Sequence, residues 1–226
     1  MLILVDAMGG DHAPDAVVNG CIDAINEMKG FDLALVGHSD KIGKILNDRN
    51  FNNSRLTIIH AQDVITNDDT PTKAIKQKKN SSMVLGFNML KEGKCDVFIS
   101  AGSTGALMAG GLFILGRIKG VDRPALAPVI PTRKNGTLLI DAGANTVCKP
   151  INYVQFGLMG SIYMREVFGV DNPKVGLINN GTEDKKGTEA VKQARILLSN
   201  SNVNFVGNIE GRDIPDGNVD VAVCDG

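Results

Sequence analysis

Short apolar runs alternate with longer segments of mixed polarity from the first residues of this chain. Residues 2–5 read as a strand, 14–28 as a helix, 33–36 as a strand, and 39–46 as a helix with Ser39 as its N-cap. The next strand is 57–60. A long helix is expected from Thr70 to about residue 92. Thr70 caps it, Pro71 takes the first turn where its missing N–H is not needed, and Gly93 ends it. Strand 96–99 and helix 104–118 follow. Such alternation predicts a largely parallel sheet with helices on both faces.

The alternation breaks at 125–132 and 136–141, two apolar runs flanking Lys134-Asn135-Gly136. Asn-Gly is the strongest short hairpin signal, so an antiparallel pair is expected inside the otherwise parallel sheet. Helix 153–168, strand 174–178, helix 188–198 and strands 203–206 and 219–223 complete the chain. No linker, low-complexity segment or internal repeat interrupts it, so residues 1–226 read as a single α/β domain. The last strand stops three residues before Gly226 with no helix after it, where a central parallel strand normally hands over to a covering helix. Either this is an edge strand or the chain lacks the C-terminal part of a longer protein. We adopt the second expectation.

Each of five apolar runs ends in a small, polar, glycine-containing turn. Asp6-Ala7-Met8-Gly9-Gly10-Asp11-His12 follows the first strand, and Ser100-Ala101-Gly102-Ser103-Thr104-Gly105 follows residues 97–99. The others are Asp141-Ala142-Gly143-Ala144-Asn145, Asn179-Asn180-Gly181-Thr182 and Cys224-Asp225-Gly226. In an open α/β sheet the carboxyl ends of parallel strands line one crevice, where ligands bind. Glycine lets the backbone approach a ligand and aim successive N–H groups at it, which suits an anion such as phosphate. Five such turns on one edge predict a binding site.

Composition narrows the chemistry. Hydrophobic residues at 43% and charged residues at 22% suit a soluble protein with a substantial core. A formal net charge of -1 gives no bulk attraction to nucleic acid or an anionic membrane. Cys21, Cys95, Cys148 and Cys224 are scattered without a C-x-x-C pair, which reads as free thiols in a reducing compartment. Residue 1 leads straight into a strand, without a basic, then apolar, leader, and no run approaches the ~18 apolar residues of a spanning helix. A cytoplasmic location is the expectation.

Familiar cofactor signatures are missing. The first turn does not fit G-x-G-x-x-G, and Gly176 and Gly181 have P-loop spacing without the following lysine. His12, His38 and His60 lack metal-ligand spacing. Neither a cofactor nor a metal is expected.

The remaining candidates each have a bland alternative. Asp11 and His12 precede Pro14 at a strand-to-helix turn, so Asp11 either caps the helix or, with His12, faces a substrate oxygen. Gly102-Ser103-Thr104-Gly105 opens an apolar helix, whose free N–H groups and dipole favour an anion; simple N-capping by Ser103 or Thr104 is the alternative. Asn145 is placed to donate to a carbonyl or phosphate oxygen and Lys149 to supply charge. Cys148 has no histidine near it in sequence and is disfavoured as a nucleophile. Lys186 lies in a charged loop that is either solvated or positioned to neutralise phosphate. Lys73, Lys76, Lys78 and Lys79 form either a solvated face or a docking site for an acidic partner protein.

Taken together, these motifs resemble the phosphate acyltransferase family of bacterial phospholipid synthesis. The resemblance runs through 5–14, 100–109, 141–145, Cys148-Lys149-Pro150, Gln155-Phe156, Met159-Gly160, Gly181-Thr182-Glu183 and Lys186-Gly187. Val147 stands where that family commonly has an acidic residue, and the family usually continues past Gly226 into a part that touches membrane in relatives. The resemblance implies a three-layer αβα sandwich of the isocitrate/isopropylmalate dehydrogenase-like kind, and a homodimer. It implies that acyl-acyl carrier protein and inorganic phosphate become acyl phosphate and free carrier protein. Lys186 and Asn145 are then the principal catalytic groups. Asp6, Gly9, Gly10, Asp11, His12, Gly102, Ser103, Thr104, Gly105, Asp141, Lys149, Gly181 and Glu183 bind substrate. Two rivals remain: a phosphate acetyltransferase-like enzyme using acyl-coenzyme A, and a non-catalytic fragment that binds acyl carrier protein.

Overall fold

The computed structural model describes residues 1–226. Where the unbroken alternation reads as one domain, the chain divides into two compact units, Met1–Arg117 and Ile118–Gly226, each with its own sheet. The boundary carries no linker composition, and only Gly116 and Gly120 mark it.

In the first unit, strands β1 (Leu2–Asp6), β2 (Asp32–Gly37), β3 (Leu56–His60) and β4 (Val97–Ile99) form a parallel sheet in the order β3-β2-β1-β4. Alternate strand residues serve opposite faces. Val5, Leu33 and Leu35 pack with Val18, Ile22, Ile25 and Ile42 of helices α1 (Asp15–Glu27) and α2 (Ser39–Asp48). Leu4, Ala34 and Val36 turn to the other face, against Leu85, Met89 and Leu90 of α4 (Ser82–Lys91). Helices therefore cover both faces of this sheet.

Three helical expectations are corrected here. The helix expected from Thr70 is two: α3 (Pro71–Gln77) and α4. The ammonium of Lys78 is drawn to Val64 O at 2.8 Å and Asp69 Oδ2 at 2.6 Å. The carbonyl of Asn80 accepts from the N–H groups of Gln62 and Asp63, and Ser81 starts a new helix by accepting from Val84 N at 3.3 Å. Partners outside the helix thus take the place of its continuation. Ser39 is not the cap of α2; His38 holds that position, and Ser39 Oγ meets His60 Nδ1 at 3.0 Å. Beyond α5 (Thr104–Gly110), the chain widens into a π-helical turn over Gly111–Leu115.

The second unit holds β5 (Val129–Ile130), β6 (Thr137–Ile140), β7 (Lys174–Ile178), β8 (Asn204–Ile209) and β9 (Val221–Val223) in the order β5-β6-β9-β7-β8. The expected hairpin is present as the antiparallel β5–β6 pair at one edge, and the other pairings are parallel. β9 sits in the middle of the sheet, which overturns its reading as an edge strand. Leu138, Ile140, Val175, Leu177, Val221 and Val223 present one face to Tyr153, Phe156 and Met164 of α6 (Pro150–Phe168) and to Ala194 and Leu198 of α7 (Glu189–Ser199). Gly160 lets α6 approach β9 closely: a Cβ there would lie 2.5 Å from Val221 Cγ1. The opposite face buries Ile209 and Ala222 beside Leu139, Ile178 and Ile214. No helix of the chain is long and apolar enough to cross a membrane.

Candidate functional site

The five glycine-containing turns fall on two sheets rather than on one edge, two in the first unit and three in the second. This corrects the single sheet edge expected from the chain.

In the first unit the chain runs β1, β2, β3 in one direction and then returns to set β4 on the other side of β1. The gap between the carboxyl ends of β1 and β4 is therefore the switch point, where open α/β sheets bind ligands. Asp6 ends β1 and is buried; its Oδ1 accepts from Met8 N at 3.1 Å and its Oδ2 from Ser100 Oγ at 2.7 Å. Ser100 Oγ in turn accepts from Gly102 N at 3.1 Å, so one carboxylate ties both turns together. Gly9 sits at their crossing, where a Cβ would lie 2.7 Å from Gly102 N and 2.8 Å from Asp6 Oδ2. Gly10 has φ +107°, the left-handed side that glycine favours. A cavity of about 260 Å³ opens beside them, lined by Met8, Gly10, Thr66, Asn67, Gly102 and Ser103 among others.

The hydroxyl of Ser103 accepts from Ala106 N at 3.4 Å and caps α5, while Thr104 and Gly105 are exposed in its first turn. Asp11 and His12 are exposed ahead of α1, whose N-cap is Pro14 without a side-chain bond, so Asp11 does not cap that helix.

In the second unit, Asp141 at the end of β6 is 1% exposed and accepts four hydrogen bonds. Leu126 N and Ala144 N donate to Oδ1 at 2.8 and 3.2 Å; Asn145 N and Nδ2 donate to Oδ2 at 2.6 and 2.8 Å. Asn145 Nδ2 also donates to Pro124 O at 2.8 Å, and its Oδ1 accepts from Arg123 Nη1 at 3.5 Å. Both sides of this amide are engaged inside the protein. The end of β9 joins the same turn, with Gly226 N donating to Asn145 O at 2.9 Å. Cys148 is buried with its thiol toward Asn145 O, and burial with the charges of Asp225 and Asp141 pushes that thiol up. Such a thiol is a poor nucleophile. Lys149 is exposed just ahead of α6, and its N–H donates to Asn152 Oδ1 at 2.9 Å.

The β7 turn is closed by two asparagines. Asn179 Nδ2 donates to Lys186 O at 3.0 Å, Asn179 Oδ1 accepts from Asn180 N at 2.8 Å, and Asn208 Nδ2 donates to Glu183 O at 2.9 Å. Lys186 is exposed and has no ion pair. The structure brings Gly181, Glu183 and Lys186 together: a Cβ on Gly181 would lie 2.6 Å from Glu183 Oε2 and 3.2 Å from Lys186 Cγ. The scaffold roles of Asn179, Asn208 and Arg123 were not anticipated. Asn179 had a local signal in Asn-Asn-Gly, whereas Asn208 and Arg123 act over 25 and 22 positions of chain.

All 226 residues match the family described as fatty acid synthesis protein. A phosphate acyltransferase of Acetivibrio thermocellus is 63% identical over 226 residues, covering 100% of this chain and 67% of that protein. One from Clostridium tetani is 51% identical over the same 226 residues, or 68% of its length. This chain thus spans about two thirds of these relatives. EutD phosphotransacetylase from Staphylococcus aureus shares the fold, with a TM-score of 0.68 at 16% identity over 99% of this chain and 77% of that one. Match and identities along its whole length place this chain in the fatty acid synthesis protein family, among relatives named phosphate acyltransferase.

Proposed function

We propose that this chain is an acyltransferase that moves an acyl group from an acyl carrier protein thioester to inorganic phosphate, forming acyl phosphate and free carrier thiol. The observation that carries this reading is the pair of glycine turns tied by Asp6 and Ser100 at the β1/β4 switch point, beside an open cavity. Backbone N–H groups there suit the anion that the reaction consumes.

A phosphate oxygen attacks the thioester carbonyl carbon, and a C–O bond forms as the carbonyl electrons move onto oxygen. Those electrons return as the C–S bond breaks; the thiolate leaves and takes a proton from solvent. Phosphate is a competent nucleophile and a thiolate leaves readily, so the protein's tasks are positioning and charge stabilisation. Gly9, Gly10, Gly102, Ser103, Thr104 and Gly105 belong to the anion-binding turns, with Asp11 and His12 exposed next to Gly10. In the second unit, Lys186 is the candidate charged group, on the asparagine-closed loop that also carries Gly181 and Glu183. Lys149 adds a second exposed cation. With both of its amide sides engaged, Asn145 serves this reading by fixing the Asp141 turn. A homodimer, a cytoplasmic setting and peripheral membrane contact through a further C-terminal part belong to the same reading.

The test compares thiol release from a long-chain acyl carrier protein and from the matching coenzyme A thioester. Faster phosphate-dependent release from the carrier thioester supports the proposal. Preference for the coenzyme A thioester would favour a phosphotransacetylase-like reading. Lys186→Ala is expected to lower kcat about a hundredfold, and an unchanged rate would remove Lys186 from the mechanism.

A further inference from the structure

We propose that the face formed by α3 and the π-helical turn of the first unit docks the acidic acyl carrier protein, an inference that rests on the acyl-transfer reading and adds the donor's binding surface to it. Lys73 and Lys76 lie one turn apart on α3, and Lys79 follows the end of the helix; all three are exposed. None has a carboxylate partner. Lys78 does, since it is bound to Asp69 and Val64 O and builds the loop ahead of the helix. The four lysines therefore divide into one structural group and three that face solvent.

Unpaired lysines alone would be a solvated surface. What departs from that is the apolar ground beside them. Lys76 Nζ lies 5.4 Å from the centre of the Phe113 ring, and that ring is 52% exposed. Leu112 and Leu115 are exposed on the same π-helical turn. A cation over an open aromatic ring, flanked by leucines and further lysines, offers charge and apolar contact at one place. An acidic amphipathic helix presents the complementary pair, and electrostatic complementarity selects it over neutral partners.

The position of this face agrees with that occupant. Residues 66–68, which line the cavity beside Gly10 and Gly102, lead into α3 at Pro71. Pro71 also packs on Gly105, where a Cβ would lie 2.8 Å from Pro71 Cγ. A carrier seated on α3 thus stands beside the cavity at the switch point, where its thioester-bearing arm would enter.

The experiment uses the whole chain and the triple variant Lys73→Glu, Lys76→Glu, Lys79→Glu. Binding of acyl carrier protein is followed by fluorescence anisotropy, and phosphate-dependent thiol release is followed with a small acyl thioester that lacks the carrier. The Kd for carrier is expected to rise about tenfold or more in the variant and to rise with salt in the wild type. Release from the small thioester is expected to stay the same. Phe113→Ala is expected to weaken carrier binding several-fold. An unchanged Kd in the triple variant overturns the proposal, as does a wild type that binds vesicles of anionic phospholipid but not the carrier protein. If the wild type releases no thiol from acyl carrier protein thioester with phosphate, the acyl-transfer reading fails instead, and the carrier Kd still decides the surface.

Discussion

At the scale of single residues, the switch-point site depends on how closely two turns approach. Gly9 has Gly102 N, Asp6 Oδ2 and Ser100 Oγ all within 2.9 Å of where a Cβ would stand, and all three atoms are in the bond network that holds the turns. Gly9→Ala must push the turns apart, so about 1–3 kcal/mol of stability is expected to go, together with most of the activity. A denaturant titration alongside the thiol-release rate checks both. The thiols make a second prediction. Burial raises Cys21 to about 11 and Cys224 to about 12, against an ordinary value of 9.0. Both stay protonated near neutral pH, so a thiol reagent should react with the native chain far more slowly than with the unfolded one. Above pH 9 the unfolded chain loses these protons while the folded chain keeps them. Stability should therefore fall as pH rises from about 9 to about 12, which thermal melts across that range would show. The turns themselves mark Asp6, Gly9, Gly102 and Ser103 as candidates. Their linkage through Ser100 was not legible there, because the Asp6–Ser100 bond joins residues 94 positions apart.

At the scale of elements, alternation and capping chemistry were enough where the deciding contacts are local. Strand 174–178 and the antiparallel pair around Asn135-Gly136 stand where the pattern put them. The helix expected from Thr70 failed because the competing contacts lie outside it: the N–H groups of Gln62 and Asp63 take the Asn80 carbonyl, and Val64 O and Asp69 hold the Lys78 side chain. Ser81 then carries the start of α4. Ser81→Ala removes that cap and is expected to cost about 1 kcal/mol, measured as a shift of the denaturation midpoint at constant slope. The same break separates Lys78, which is bound, from the exposed lysines of α3, and so turns a generic basic stretch into a defined face.

For the molecule as a whole, the α/β class and the family resemblance were readable, but the division into two sheets was not. No change of composition marks the boundary at Arg117 and Ile118, and the order of the strands depends on contacts distant in sequence. β9 illustrates the difficulty. Its residues lie last, yet they insert between β6 and β7, pairing with segments more than forty and eighty positions earlier. The central claim remains chemical: phosphate is the nucleophile that takes the acyl group. Its most direct test is the yield of acyl hydroxamate, trapped by hydroxylamine from acyl phosphate, per thiol released from acyl carrier protein as phosphate is varied. The account predicts one hydroxamate per thiol and no release above background without phosphate. Release that proceeds undiminished without phosphate, or that yields no hydroxamate, would contradict it.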